Sequence, residues 1–216
     1  MGHNLIESYW KETRYRFPED PVVKEFVSSK IKILERFISL QGKSILDVGC
    51  GNGTFMYYFS RMTNSRVVGI DISDAMLSNN RSDDLVKASA DSLPFKDASF
   101  DIVFGANLLH HTENPELILR EMKRVCREHI VLIEPNRLNP IMFLFSLFNK
   151  AERGGLRSCK KSIRHLLAGA CLDPVCMTRQ GVITQNNTPQ SLVPFLRLFE
   201  REFFCGAYII AISKKS

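Results

Sequence analysis

A chain of 216 residues with 44% hydrophobic and 24% charged side chains can bury a core of its own without disulfides or metals, and its length suits one domain. The net charge of +6 is scattered, with the densest basic clusters at Arg153–Lys161 and Lys214–Lys215, which reads as solvated surface or as a basic rim for an acidic substrate. The six cysteines, at 50, 126, 159, 171, 176 and 205, contain no CxxC pair and no zinc spacing, so no metal site is expected and all six read as reduced thiols in a cytoplasmic setting.

The first residues, Met1-Gly2-His3-Asn4, lack an apolar signal core, and Ile6 stands where a myristoylation motif needs Ser or Thr. An N-terminal helical arm is expected over about residues 1–42. Its first part carries Tyr9, Trp10, Arg14, Tyr15 and Phe17 and closes at Pro18 and Pro21. Tyr9, Trp10 and Arg14 form either a lid over a ligand or an arm packed on the domain. A helix is predicted over 22–40, where Val23, Phe26, Val27, Ile31, Leu34, Phe37 and Ile38 recur at helical spacing, with Gly42 as its stop.

Strands and helices then alternate. Strands are predicted at 44–48, 66–70, 85–88, 100–106, 130–134, 175–178 and 207–213, and helices at 54–62, around 75–77, at 116–125 behind Pro115, at 160–168 and at 192–202. Residues 136–158 are read as a small insertion into a single domain spanning 1–216. Within it, Ile141–Phe148 is the most apolar stretch; it is too short to span a bilayer and reads as a buried helix turn or a pocket lid. The alternation predicts an α/β fold, a three-layer sandwich around a mostly parallel sheet. Ligands of such sheets bind beyond the carboxyl ends of the strands.

The first of those ends is Asp47-Val48-Gly49-Cys50-Gly51-Asn52-Gly53. Its glycines let the backbone turn tightly and approach a ligand. A dinucleotide fingerprint needs a third glycine after two spacers, but that position is Thr54. Asp47 would repel a pyrophosphate and suits the ammonium of a methionine moiety. Asp71, at the end of the second strand, can bind two ribose hydroxyls or cap a helix. Ile72 and Met76 line an adenine pocket or belong to the core. Asp91, in Ala90-Asp91-Ser92, can accept from an adenine amino group.

The segments ILDVGCGNGTF, VVGIDISDAML, ASADSLPFKDASFDIVFGANLLHH and IVLIEP, in that order, resemble the class I S-adenosylmethionine (SAM)-dependent methyltransferases over about residues 43–135. The LPF loop is similar to the small-molecule subgroup, in particular the quinone-biosynthesis C-methyltransferases. The resemblance implies a seven-stranded sheet whose last strand is antiparallel, and SAM as cofactor with S-adenosylhomocysteine as product. It implies a cofactor site made of Asp47, Gly49, Cys50, Gly51, Gly53, Asp71, Ile72, Met76, Ala90, Asp91, Ser92, Asn107 and Leu108.

Methyl transfer from a sulfonium is a direct displacement in which the protein supplies proximity and alignment, so no catalytic residue follows from the fold. His110 and His111 are the candidate bases, each with a structural alternative, and Glu134 is a further one. Asn107 is followed by Leu108-Leu109, unlike the aromatic-ended loop of base-amino methyltransferases, and no RNA-binding module is present. A small-molecule or lipid-like acceptor is therefore expected before RNA. A SAM-binding protein without catalysis is the further alternative.

Overall fold

The computed structural model describes residues 9, 11 and 15–215. The readings placed on residues 1–8, on Trp10 and on Arg14 lie outside the described residues. In chain order the elements are α1 (Pro21–Leu34), β1 (Ser44–Val48), α2 (Thr54–Thr63), β2 (Arg66–Asp71), α3 (Asp74–Ser78), β3 (Leu85–Lys87) and β4 (Phe100–Ala106). There follow α4 (Pro115–Val125), β5 (Cys126–Pro135), α5 (Pro140–Phe148), α6 (Lys160–Gly169), β6 (Pro174–Gln180), α7 (Val193–Leu196) and β7 (Tyr208–Lys214). Tight 3-10 segments occur at Leu109–His111 and Lys150–Arg157.

The seven strands form one sheet in the order β3-β2-β1-β4-β5-β7-β6. Neighbours from β3 to β5 are parallel, and β7 runs antiparallel to both β5 and β6. The expected α/β sandwich with its reversed last strand is the fold observed. Strand alternation sorts the core into two layers. Ile45, Ile102, Phe104, Val131 and Ile133 face α1 and α2, where Phe26, Phe55 and Phe59 pack. Leu46, Val103, Ile130 and Leu132 face α4 and α6, where Leu119, Met122, Ile163 and Leu167 pack.

Helix starts follow their capping chemistry. Asp20, Asn114 and Asn139 each accept a backbone N–H in the first turn ahead of a proline. Three elements depart from the predicted spans. Helix α1 stops at Leu34, after which 3-10-type turns carry the chain round, with Phe37 exposed while Ile38 and Leu40 are buried. The apolar spacing continues there without a helix. Strand β5 begins at Cys126, directly after α4. The helix predicted over 192–202 is broken into short pieces between Gln190 and Phe199. Its end is set by Glu200, whose carboxylate turns inward to Lys30 at 3.3 Å. No helix among the described residues is long and apolar enough to cross a membrane.

Candidate active site

Sheet order reverses direction at β1, which lies between β2 and β4. A cavity of about 1060 Å³ opens beyond the carboxyl ends of these strands, the position expected at a topological switch point. Small-molecule pockets typically span about 300–1,000 Å³, so the volume suits a cofactor with a second reactant beside it.

One end is built by the loop after β1. Gly49, Gly51 and Gly53 have φ of 72°, 52° and 79°, a region that side chains disfavour. A Cβ on Gly49 would stand 2.9 Å from Leu108 Cδ1, and one on Gly51 would stand 3.1 Å from Met76 Cε. Asp47 is 2% exposed, and no described residue donates a hydrogen bond to its carboxylate. Burial, with the Asp71 charge adding to it, pushes its pKa up to about 8. Asp71 accepts from the Gly51 and Ser73 amides, both at 2.9 Å. Ser73, rather than Asp71, caps α3 through the Met76 amide.

Asp47, Gly49, Cys50, Gly51, Asp71, Ile72, Met76, Ala90, Asp91, Asn107 and Leu108 all line the cavity. Gly53 and Ser92 do not line it. The place a Gly53 side chain would take is filled by the Asn80 amide, which donates to the Gly51 carbonyl at 3.1 Å. Ser92 instead sits in the turn leading to Leu93.

The loop after β4 is held from the end of β5. Glu134 accepts from the Leu108 and Leu109 amides at 2.9 and 2.8 Å and meets His110 Nδ1 at 2.7 Å. Asn107 takes a left-handed φ of 52° to make this turn. Burial alone would lower the His110 pKa, but Glu134, and then Glu152, outweigh it and raise it to about 9. His110 is thus an imidazolium between two carboxylates, outside the cavity lining. His111 faces the cavity. Burial and the neighbouring His110 charge lower its pKa to about 4, so it stands as a neutral imidazole.

Two functional features carry no local sequence signal. Glu152 comes from the 3-10 segment of the insertion, lines the cavity and meets His110 Nε2 at 3.3 Å. The Tyr9 hydroxyl donates to Glu152 Oε1 at 3.3 Å. The second feature is the loop after β6, which covers the glycine loop. Glu200 accepts from the Val182 and Ile183 amides, Gln185 donates to Thr54 Oγ1, and Asn186 accepts from the Arg16 amide. Both features depend on partners far away in sequence.

Gly154 is what lets the insertion reach the histidines, since a Cβ there would fall on the His110 carbonyl oxygen. Gly154→Ala should therefore cost at least about 1–3 kcal/mol of overpacking. It should lower the melting temperature by several degrees and leave affinity for S-adenosylhomocysteine nearly intact, as read by thermal melts and calorimetry.

The far end of the cavity is apolar, walled by Ile141, Met142 and Phe145 of α5 and by Leu192, Phe195 and Phe199.

Residues 46–133 match the family described as "Methyltransferase domain". This segment is similar to a methyltransferase domain. The chain is 32% identical over 137 residues to the 27-O-demethylrifamycin SV methyltransferase of Amycolatopsis mediterranei, covering 58% of this chain and 48% of that protein. It is 33% identical over 102 residues to the tRNA U34 carboxymethyltransferase of Nautilia profundicola, covering 44% of this chain and 34% of that protein. The chain thus spans about half the length of the first relative and a third of the second. A SAM-dependent methyltransferase from Aquifex aeolicus superposes with a TM-score of 0.66 at 17% identity, covering 97% of this chain and 98% of that one; this likeness concerns the fold.

SAM is the cofactor of such a domain, and the residues present fit it. A buried carboxylate that accepts from no described residue asks for a cationic group, which the methionine ammonium supplies. The glycine loop leaves its backbone open to close approach, and Asp71 stands at the neighbouring strand end for hydroxyl groups.

Proposed function

We propose that the chain transfers a methyl group from SAM to a small-molecule, lipid-like acceptor by direct displacement. The observation that carries this reading is one cavity with two unlike ends, a carboxylate-bearing glycine loop and an apolar wall. Asp47 would bind the ammonium, Gly49 and Gly51 the methionine backbone, Asp71 the ribose hydroxyls, and Ile72, Met76 and Asp91 the adenine. Leu108 and Asn107 would border the sulfonium.

Bound there, the cofactor supplies the methyl and the leaving group: the acceptor atom forms a bond to the methyl carbon as the sulfur keeps the old bonding pair. This chain's residues align the two reactants and exclude water. Neutral His111 can accept a hydrogen bond from an acceptor hydroxyl. The LPF loop supports the small-molecule subgroup, and the apolar wall supports a hydrophobic acceptor. An RNA acceptor would call for cations at the mouth, where Ile141 and Phe195 are 69% and 61% exposed.

Calorimetric titration with SAM and S-adenosylhomocysteine tests the cofactor site. One-to-one binding, weakened at least about thirtyfold (~2 kcal/mol) in Asp71→Ala, is expected. Well-folded protein that binds neither ligand would overturn the reading. Turnover with hydroxylated amphiphiles but not with RNA is the expected outcome of an acceptor screen.

A further inference from the structure

His110, His111 and Glu152 are brought together from two separate segments, and their ligand-capable atoms all lie within 4.8 Å of one another. His110 Nε2 and His111 Nε2 stand 3.3 and 3.9 Å from the same oxygen, Glu152 Oε2. These separations are long for charge-assisted hydrogen bonds, which close to about 2.7–2.9 Å. The contact on the other side of the ring, Glu134 to His110 Nδ1, does close to 2.7 Å. The 3.3 Å separation has the spacing of atoms sharing a cation, and the 3.9 Å one lies just beyond it. Donors about 2.0–2.2 Å from one ion, at angles of ~90–120°, lie roughly 3.0–3.8 Å apart.

Three further observations point the same way. Glu134 engages His110 Nδ1 and leaves Nε2 directed at Glu152. A carboxylate behind a histidine is the arrangement that orients metal-ligating imidazoles and fixes their tautomer. His111 and Glu152 both line the cavity, so a cation held by them would face the space where a reactant enters. The insertion is also locked in place: Asn149 caps its 3-10 segment by accepting from the Ala151 amide, and Gly154 packs on the His110 carbonyl.

We propose that His110, His111 and Glu152 form a binding site for a divalent transition cation, with open positions facing the cavity. Two imidazoles and one carboxylate suit borderline cations such as Zn²⁺, Co²⁺ or Fe²⁺ better than Ca²⁺ or Mg²⁺. A metal-ligating imidazole must be neutral at the ligating nitrogen, so cation and proton compete for the site. The open positions take an oxygen ligand. Where that oxygen belongs to the methyl acceptor, the inference rests on the function proposed above and narrows the acceptor to compounds with a hydroxyl or carboxylate; cation binding itself does not depend on that function.

The test is a titration of the chelator-stripped chain with Co²⁺, followed by its visible d–d absorption, after S-adenosylhomocysteine binding has been measured on the same sample. A band that saturates at one equivalent, is displaced by Zn²⁺, and weakens at least about tenfold in both Glu152→Gln and His111→Ala is expected. Proton NMR of the unmutated chain provides a readout that needs no variant. Co²⁺ should shift the ring signals of His110 and His111 and spare those of His129 and His165. No cobalt band and no calorimetric signal with Zn²⁺, on protein that binds S-adenosylhomocysteine, would overturn the site. So would a band that both variants retain, or ring shifts confined to His129 and His165. Loss of S-adenosylhomocysteine binding in the unmutated chain would count against the cofactor reading instead, leaving the cobalt result to be judged separately.

Discussion

Asp47→Asn is expected to weaken SAM binding severely while making the ligand-free chain more stable. Both effects come from one buried carboxylate. Its pKa, 3.8 in a solvated chain, is pushed up to about 8 by burial and by Asp71. Between those values the folded state holds a proton that the unfolded state has released. Stability from this group is therefore fully present below pH ~4 and is lost as pH rises towards 8. The slope is at most about 1.4 kcal/mol per pH unit, an order-of-magnitude penalty of a few kcal/mol at pH 8. An uncharged amide does not titrate. The Asn variant should melt several degrees above the parent at pH 8, and the gap should narrow as pH falls and close near pH 4.

Binding runs the other way. In the proposed site the methionine ammonium would pair with an ionised Asp47, so binding below pH 8 would expel its proton. Affinity should weaken as pH falls, and calorimetry in buffers of different ionisation enthalpy should show release of up to one proton. In the Asn variant that release should vanish, and affinity should drop at least about a hundredfold (~2.7 kcal/mol). An Asn variant that binds SAM as the parent does would refute the role given to Asp47. Those two results together would mark Asp47 as a functional residue kept at a cost in stability.

The parts of this site legible in sequence are those written in one short stretch. The loop after β1 declares itself because left-handed φ values favour glycine at 49, 51 and 53, and three alternate glycines in a row are the mark they leave. Its register was readable too, since Thr54 occupies the position where a dinucleotide loop has its third glycine. Asp71 was legible as a carboxylate at a strand end, but its bond to the Gly51 amide was not. Gly53 shows the limit of the inference. The glycine is required, yet the space it leaves is taken by Asn80 rather than offered to the cavity.

The histidines show a different limit. His110 and His111 are adjacent in sequence, but their environments push their pKa values to about 9 and about 4. What separates them is Glu134 and Glu152, which reach the pair through β5 and through the insertion. Neither contact leaves a periodicity or a motif. The alternation of apolar residues similarly places both core layers but misses the break near Glu200, because a buried ion pair overrides helical spacing there.

That ion pair sets the second large effect. Lys30 is fully buried, and its ammonium lies 3.3 Å from Glu200 Oε2 and 4.1 Å from the centre of the Phe26 ring. Burial lowers its pKa against the pull of Glu200. Lys30→Met strands the Glu200 carboxylate inside the protein, and breaking one side of such a pair costs about 3–5 kcal/mol. Thermal midpoints for a chain of this size move roughly 2–4 °C per kcal/mol, so a fall on the order of 10 °C is expected. The double variant Lys30→Met/Glu200→Gln removes both charges and should recover most of that loss, a coupling that a double-mutant cycle reads directly. Recovery should not extend to the ligand. Ionised Glu200 accepts from the Val182 and Ile183 amides and so anchors the loop whose Gln185 reaches Thr54. Both amides meet one oxygen, Glu200 Oε1; a glutamine oxygen can take its place but lacks the carboxylate charge that strengthens those bonds, and so holds the two amides less tightly. The double variant should therefore be close to the parent in stability and weaker in S-adenosylhomocysteine affinity by about tenfold (~1.4 kcal/mol). Full recovery of both would show that Lys30 and Glu200 act on stability alone and that the loop is held by its other contacts.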